Sequence, residues 1–245
     1  MRTVILHYHL FKNAGTSIDA ALKEQFTSDK WATKEFPNDK TANAEQLAQW
    51  IKDEANIVCF SSHTAHLPVP SIPSVKVIPI FFLRHPIERI TSVYAFEKRQ
   101  TVDTFGTKLA RENDIKGYIE GRLSNVHDKQ CRNFHCDKLG RVYPPTEHNE
   151  LIRATQALNA MPFFGLVEEF ERSIDKLSRV LQNAGFDHVL LKVKKSNASQ
   201  SGQLTIADKL STLKHDIGEN LYETLLEANK YDIQLYEYAK RLFAL

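Results

Sequence analysis

Apolar residues along the chain fall into short continuous runs that alternate with stretches of helical spacing. Residues 3–9 form a β-branched and aromatic run typical of a buried strand, and residues 17–26 follow with helical periodicity. The almost unbroken apolar run at residues 75–83 predicts a parallel strand covered on both faces. Because Pro79 cannot donate to a sheet, we expect that strand to begin at Ile80.

Strands and helices continue to alternate toward the end of the chain. The patterns predict strands at residues 56–60, 163–167 and 186–193, and helices at residues 44–53, 87–97, 168–183, 206–215 and 221–243. Residues 101–148 are polar and weakly periodic, and we expect them to pack helices and loops over one edge of the sheet. This order predicts an α/β fold whose central, mainly parallel sheet is flanked by helices. No linker-like segment divides it, so residues 1–245 are expected to form a single domain.

Composition narrows the classes of function. A net charge of +2 is too small for broad nucleic-acid or membrane binding, so any anion site must be built from locally placed cations. Cys59, Cys131 and Cys136 are few and odd in number, which indicates reduced thiols. With no signal-peptide pattern and no apolar run near ~20 residues, we expect a cytoplasmic protein, with a soluble fragment of a Golgi-type enzyme as the alternative.

The segment KNAGTS, residues 12–17, turns between the first predicted strand and helix. Amides at such a helix N-terminus point at an anion, and the carboxyl ends of parallel strands are where ligands gather. Gly15 permits close approach or unusual dihedrals, Thr16 and Ser17 add hydroxyls, and Lys12 adds a mobile charge. A plain glycine-containing turn capped by Thr16 or Ser17 is the alternative. The full nucleoside-triphosphate loop GxxxxGK[ST] is absent, because here the lysine precedes the glycine.

The segment FFLRHPIERITSVY, residues 81–94, follows a second strand. Arg84 is placed at the carboxyl end of this strand, and Arg89 and Ser92 share a face of the next helix. A magnesium-dependent phosphotransferase would carry an aspartate at such a position. An arginine instead suits direct capture of a phosphate without a metal, whereas an ordinary surface pair between Arg84 and Glu88 is the alternative.

The two loops together resemble those of the sulfotransferases that use 3'-phosphoadenylyl sulfate (PAPS). Where that family has HxPKTGGTS and LRDPxxRxxSxY, this chain has HYHLFKNAGTS and FLRHPIERITSVY. FGLVEEFERSIDKL and NKYDIQLYEYAKRLF resemble later family segments, so the resemblance spans nearly the whole chain and is closest to the carbohydrate-directed branch. It implies a P-loop-like three-layer fold and transfer of a sulfuryl group from PAPS to a hydroxyl, expected on a saccharide, leaving adenosine 3',5'-bisphosphate (PAP).

The resemblance also implies roles for individual residues. Lys12 neutralises the oxygen that bridges sulfur and phosphorus, and Arg84 and Ser92 hold the 3'-phosphate of the donor. The amides and hydroxyls that hold the phosphosulfate belong to Asn13, Ala14, Gly15, Thr16 and Ser17.

Three positions depart from the family pattern. Asn13 stands in place of threonine, Ala14 in place of glycine and His85 in place of aspartate. Alanine at position 14 allows fewer backbone conformations than glycine. The family aspartate is expected to order its loop, so His85 is expected to change how that loop packs.

The segment FSSHTAH, residues 60–66, offers a base for the reaction. Sulfuryl transfer needs an aligned acceptor hydroxyl, a base for its proton and a cation at the leaving oxygen, and this scheme requires no metal. An imidazole suits proton abstraction near neutral pH, so His63 is the preferred base. His66 is the second candidate, or a packed loop residue. His7 and His9 share a face of the first strand and are predicted to line the core or the pocket wall.

Two further groups of residues are less specific. Histidines and cysteines cluster within residues 127–136 but match no zinc-site spacing, so no metal site is predicted. Gln130 and Arg132 resemble a weak family element that touches the acceptor or the adenosine. Lys194, Lys195 and Asn197 could reach the nucleotide or form a solvated basic loop.

Two other functions remain compatible with these patterns: a nucleotide-dependent kinase and a non-catalytic nucleotide-binding relative. The predicted partners are the nucleotide donor and a hydroxyl acceptor, with no nucleic acid and no transmembrane segment. Selection of the acceptor is expected in residues 101–148 and around His66.

Overall fold

Four parallel strands form the central sheet. The computed structural model describes residues 1–145, 149–192 and 204–245. The strands are β1 (Arg2–Tyr8), β2 (Trp31–Thr33), β3 (Cys59–Ser62) and β4 (Val75–Ile80), in the order β2-β3-β1-β4. All three strand pairs are parallel, so β1 is held on both sides and its carboxyl end opens near the middle of the sheet.

Two short strands continue beyond β4. β5 (Phe82–Leu83) pairs in parallel with β6 (Gly165–Leu166), so the apolar run at residues 75–83 supplies strands to two sheets. A Cβ at Gly165 would lie 2.4 Å from an atom of the Phe82 ring, which accounts for the glycine at this close approach.

Helices cover both faces of the sheet and extend beyond it. They are α1 (Gly15–Lys23), α2 (Lys40–Asp53), α3 (Pro86–Glu97), α4 (Phe105–Glu112), α5 (Ile115–Ser124), α6 (Phe134–Leu139), α7 (Glu150–Ala160), α8 (Phe170–Asn183), α9 (Ile206–Ile217), α10 (Glu219–Ala228) and α11 (Lys230–Ala244).

Alternate residues of β1 face opposite layers of the molecule. Leu6 packs in the cluster that includes α2, α7 and α11, whereas Ile5 packs with α1 and α8. A third cluster joins α3, α4, α5, α9 and α10, and its buried members come from these helices and from Cys131. The predicted α/β architecture of a mainly parallel sheet between helical layers is therefore confirmed, and much of the weakly periodic region forms a separate helical layer.

Among the predicted elements, three differ most from the structure. β4 begins at Val75 rather than Ile80 and includes Pro79, because β4 is an edge strand, where a missing N–H is tolerated. Residues 186–192 form no strand; Val189 and Leu191 are buried as part of a loop against the α1 and α8 layer. The predicted helix at residues 221–243 is two helices separated at Asn229, whose Nδ2 donates to the Cys131 carbonyl at 2.8 Å.

Lys194, Lys195 and Asn197 lie outside the described residues, as does Val193. In the ranges that are described, none of the helices combines the length and the hydropathy that a bilayer span requires.

Candidate functional site

The loop between β1 and α1 contains two left-handed residues that are not glycine. Lys12 has φ of 63° and Ala14 has φ of 61°, and Ala14 is the N-cap of α1. Gly15 instead begins the helix, and its lack of a side chain lets the His9 ring pack against it. A Cβ at this position would lie 2.0 Å from Cδ2 of His9. Alternation of left-handed and other conformations turns successive amides toward one side, which is the geometry of an anion-binding nest.

The amides at the start of α1 are free donors of this loop. In the described part of the chain, the amides of Ala14, Gly15 and Thr16 have no hydrogen-bond acceptor. The Asn13 amide donates to the Leu10 carbonyl at 3.1 Å, and the Ser17 amide donates to the Ala14 carbonyl at 2.9 Å. Three backbone donors at a helix N-terminus are therefore left for an anion.

The Asn13 side chain points into the protein rather than toward the free amides. Its Nδ2 donates to the Phe11 carbonyl at 3.0 Å, and its Oδ1 accepts from Nε2 of His135 at 2.9 Å. Nδ1 of His135 in turn lies 3.2 Å from Asp232 of α11. Asp232 also accepts hydrogen bonds from the amides of His135 and Cys136. Asp232 therefore fixes the position of His135, which in turn holds the Asn13 side chain of the loop.

The backbone strain at Ala14 makes a stability prediction. The left-handed conformation costs a non-glycine residue roughly 1–2 kcal/mol, and glycine's added freedom in the unfolded chain offsets part of the gain. We expect Ala14→Gly to raise the free energy of unfolding by about 0.5–1 kcal/mol in chemical denaturation. The matched control is Ala20→Gly on the exposed face of α1, which should lower it by about 1 kcal/mol. An equal decrease in the free energy of unfolding in both variants would show that Ala14 is not strained.

Arg84 joins the two candidate loops directly. Its Nε donates to Glu88 one turn into α3, and its Nη1 donates to the Lys12 carbonyl at 3.2 Å. Glu88 also accepts from Lys209 of α9 at 2.9 Å. The pair with Glu88 that sequence offered as an alternative is present, but it is largely buried and it places the guanidinium beside the anion loop.

Positive charge is concentrated beside the free amides. Lys12 has its Nζ 4.8 Å from the centre of the Phe96 ring and, within the described ranges, no ion pair. Burial, followed by the nearby Arg84 and Arg99, lowers the pKa of Lys12. Cations that disfavour one another's charge in this way gain stability when an anion binds between them.

Arg89 and Ser92, one turn apart on α3, have different surroundings. Arg89 is buried, with its guanidinium 3.9 Å from the centre of the Phe134 ring and its Nη1 donating to the Gln130 side chain at 3.2 Å. It therefore stabilises the packing of α3 against the segment before α6. The Ser92 hydroxyl is half-buried and has no hydrogen bond to any residue that the structure describes, so it can still reach a ligand.

A distant carboxylate orders the loop at His85. Oε1 of Glu168 accepts the His85 amide at 2.8 Å, and Oε2 accepts the Tyr236 hydroxyl at 2.5 Å. The His85 ring packs edge-on against Tyr236, with ring centres 5.5 Å apart. Glu168 thus supplies a carboxylate to this loop, where His85 replaces the family aspartate.

The two candidate bases lie in different surroundings. Nδ1 of His63 is 2.7 Å from Oε1 of Glu35, and the His63 side chain is 56% exposed. Burial, followed by Arg141 and Lys138, lowers the pKa of His66 to about 4. Nδ1 of His66 is buried without a partner in the described residues. Geometry and charge therefore favour His63 as a base that is accessible and oriented by a carboxylate.

Two acidic residues of the site were missed by the sequence reasoning. Glu35 follows β2, and its carboxylate contacts His63 just after the end of the neighbouring strand β3. Asp19 of α1 accepts from Nδ1 of His7 at 2.6 Å, Nδ1 of His9 at 3.1 Å and Oγ of Ser61 at 2.8 Å. The signal for Asp19 was available, because His7 and His9 alternate on one face of β1 and Asp19 is one turn into the helix that covers it.

Burial alone would raise the pKa of Asp19, but the hydrogen bonds from His7 and His9 hold it far below its ordinary value. His7, His9 and Asp19 are also of the residue types that bind divalent metals. Here Nδ1 of each histidine and both carboxylate oxygens are already used by the hydrogen bonds within the cluster.

Comparisons with known proteins identify the family of the chain. The chain matches the sulfotransferase family over residues 1–239. It is also 36% identical over 244 residues to an uncharacterized protein of Archaeoglobus fulgidus, covering 96% of this chain and 95% of that relative. A family match of this extent, over the residues that build both loops, shows that the chain belongs to the sulfotransferase family, a family of PAPS-dependent enzymes.

Proposed function

We propose that residues 1–245 act as one domain that transfers a sulfuryl group from PAPS to an acceptor hydroxyl. The observation that carries this proposal is the hydrogen bond from Arg84 to the Lys12 carbonyl, at 3.2 Å. It sets the strand-end guanidinium beside the unpaired amides of α1. Two anion-binding elements of this kind, side by side, fit a nucleotide with phosphate groups at both ends.

The donor fits the residues present. The amides of Ala14, Gly15 and Thr16 would hold the phosphosulfate, with the exposed Thr16 and half-buried Ser17 hydroxyls beside them. Arg84 and the free hydroxyl of Ser92 would hold the 3'-phosphate. Asn13 does not contact the anion in this proposal, because its amide donates to the Leu10 carbonyl and its side chain is hydrogen-bonded to Phe11 and His135.

The reaction follows from three groups. His63, oriented through Nδ1 by Glu35, takes the proton of the acceptor hydroxyl at Nε2. The acceptor oxygen attacks sulfur in line with the bond to the bridging oxygen, and that bond breaks with its electron pair remaining on phosphate. Lys12 receives the developing charge on the bridging oxygen, and PAP leaves. Every charge is met by protein cations and amides, so we propose that no metal is required.

The acceptor class and the compartment are the finer parts of the proposal. The likeness of the motifs to the carbohydrate-directed branch supports a saccharide hydroxyl, selected by the helical layer around residues 101–145. Cys59, Cys131 and Cys136 are all free and buried, which supports a reducing, cytoplasmic setting.

Nucleotide binding tests the proposal against a kinase. By calorimetry in EDTA we expect PAP to bind at least tenfold more tightly than ATP, because the site provides cations for two separate phosphate ends and needs no magnesium. Tighter ATP binding that depends on magnesium would favour the kinase. Transfer of labelled sulfate from PAPS to polysaccharides, glycolipids or phenols then separates an enzyme from a non-catalytic relative and identifies the acceptor.

A further inference from the structure

Two carboxylate–imidazole couples face each other beside the anion loop. Asp19 accepts from Nδ1 of His9 at 3.1 Å, and Glu35 lies 2.7 Å from Nδ1 of His63. The two imidazole rings are 3.9 Å apart at their centres, with 30° between their planes. In both couples the carboxylate holds a proton on Nδ1, which leaves Nε2 as the reactive nitrogen.

The His9 ring lies directly over the N-terminus of α1. A Cβ at Gly15 would be 2.2 Å from Nε2 of His9, so only glycine leaves room for the ring. Nε2 has no hydrogen-bond partner in the ranges that the structure describes, and the His9 side chain is 10% exposed. An anion held by the amides of Ala14 and Thr16 would therefore lie against this nitrogen.

Several titratable groups surround the His9 ring. The titratable groups that face this ring are His7 on β1, Asp19 on α1 and His63 with its partner Glu35. Burial lowers the pKa of His7, which disfavours a charge on that ring, and Asp19 accepts from both rings, at 2.6 Å from His7 and 3.1 Å from His9. The Asp19 side chain is 13% exposed, whereas that of Glu35 is 51% exposed. Water therefore screens the attraction between Asp19 and His9 less than the attraction between Glu35 and His63.

We propose that His9, held by Asp19, is a second catalytic imidazole that takes up one proton when the donor binds. This inference rests on the proposed function. Nε2–H of His9 then donates to an oxygen of the anion in the cradle, while His63 remains the neutral base. Two imidazoles this close repel each other when both are charged, so we assign the role of acid to His9 and the role of base to His63. The proton gained by His9 comes from solvent, and the acceptor's proton still goes to His63.

Proton uptake during PAP binding tests this role without turnover. Calorimetry between pH 6.5 and pH 8.5, in buffers that differ in ionisation enthalpy, should show uptake approaching one proton per PAP bound. The affinity should then fall as pH rises, by up to about tenfold per pH unit, because the complex holds one more proton than the free protein. Binding of PAP by the unchanged protein with no proton uptake would overturn the role of His9 and leave the proposed function standing.

Variants assign the proton to His9. His9→Gln should abolish the uptake, and Asp19→Asn should reduce it. The matched control is His215→Gln, an exposed imidazole on α9 that lies 3.5 Å from Asp216 and should leave the uptake unchanged. Full uptake in His9→Gln would assign the proton elsewhere and overturn the proposal, whereas failure of the unchanged protein to bind PAP would remove the proposed function itself.

Discussion

Replacing His63 by alanine is expected to lower kcat by about 10²–10⁴-fold, the usual contribution of a positioned general base. The His63 side chain is 56% exposed, and its contacts are with Glu35 and the His9 ring, so the fold should tolerate the change. PAP affinity and thermal stability should therefore stay close to those of the unchanged protein. Rates of sulfate transfer under single-turnover conditions measure the chemical step directly.

Two companion variants separate His63 from its surroundings. Glu35→Gln keeps the size of the side chain but removes the charge that orients His63, so we expect a partial loss in kcat with little change in KM for PAPS. His66→Ala is the control, because burial, followed by the neighbouring Arg141 and Lys138, lowers the pKa of His66. A greater loss in His66→Ala than in His63→Ala would transfer the role of base to His66.

Local patterns predicted the parts of the fold that position the site. The apolar run before KNAGTS and the helical spacing after it correspond to β1 and α1, and the run before Arg84 corresponds to β4 and β5. Because the carboxyl ends of neighbouring parallel strands meet at one edge of a sheet, the contact between Arg84 and the Lys12 loop follows from the order of elements. Residue type and topology were therefore sufficient to predict that the two loops meet.

Contacts between distant segments could not be predicted in this way. Nothing in the local sequence shows that Asp232 would reach Asn13 through His135, or that Glu168 would accept the His85 amide. The left-handed conformations of Lys12 and Ala14 were also missed, because glycine is the residue expected there. Both features depend on tertiary contacts that hold the loop in a conformation its own residues do not favour.

These contacts explain how the loop can bind an anion without a complete set of glycines. The Lys12 carbonyl accepts from Arg84, and the Asn13 side chain is fixed by His135. Charged and buried hydrogen bonds of this kind can offset roughly 1–2 kcal/mol of strain at a left-handed residue. The anion cradle and the Arg84 loop are therefore one structural unit, and a change at Arg84 affects both.

Replacing Arg84 by alanine is expected to weaken PAP binding by about 10–100-fold, since a hydrogen bond to a charged group contributes roughly 1.5–3 kcal/mol. The contact with the Lys12 carbonyl makes a second explanation possible, because its loss could loosen the loop. Adenosine 5'-monophosphate distinguishes the two, since it lacks the 3'-phosphate. If Arg84 holds that phosphate, the variant should lose affinity for PAP and keep most of its weaker affinity for the monophosphate, as measured by calorimetry.

The control for general charge is Arg99→Ala, because Arg99 also acts on Lys12 but has no contact with the Arg84 guanidinium among the described residues. Arg99→Ala should weaken the binding of PAP and of adenosine 5'-monophosphate by a similar factor, smaller than the loss of PAP affinity in Arg84→Ala. A positive charge that contacts neither phosphate attracts both nucleotides to a similar extent. Equal losses for the two nucleotides in Arg84→Ala would mean that Arg84 acts through the loop or through overall charge. The preference for PAP would then have to come from another group, such as the Ser92 hydroxyl on α3.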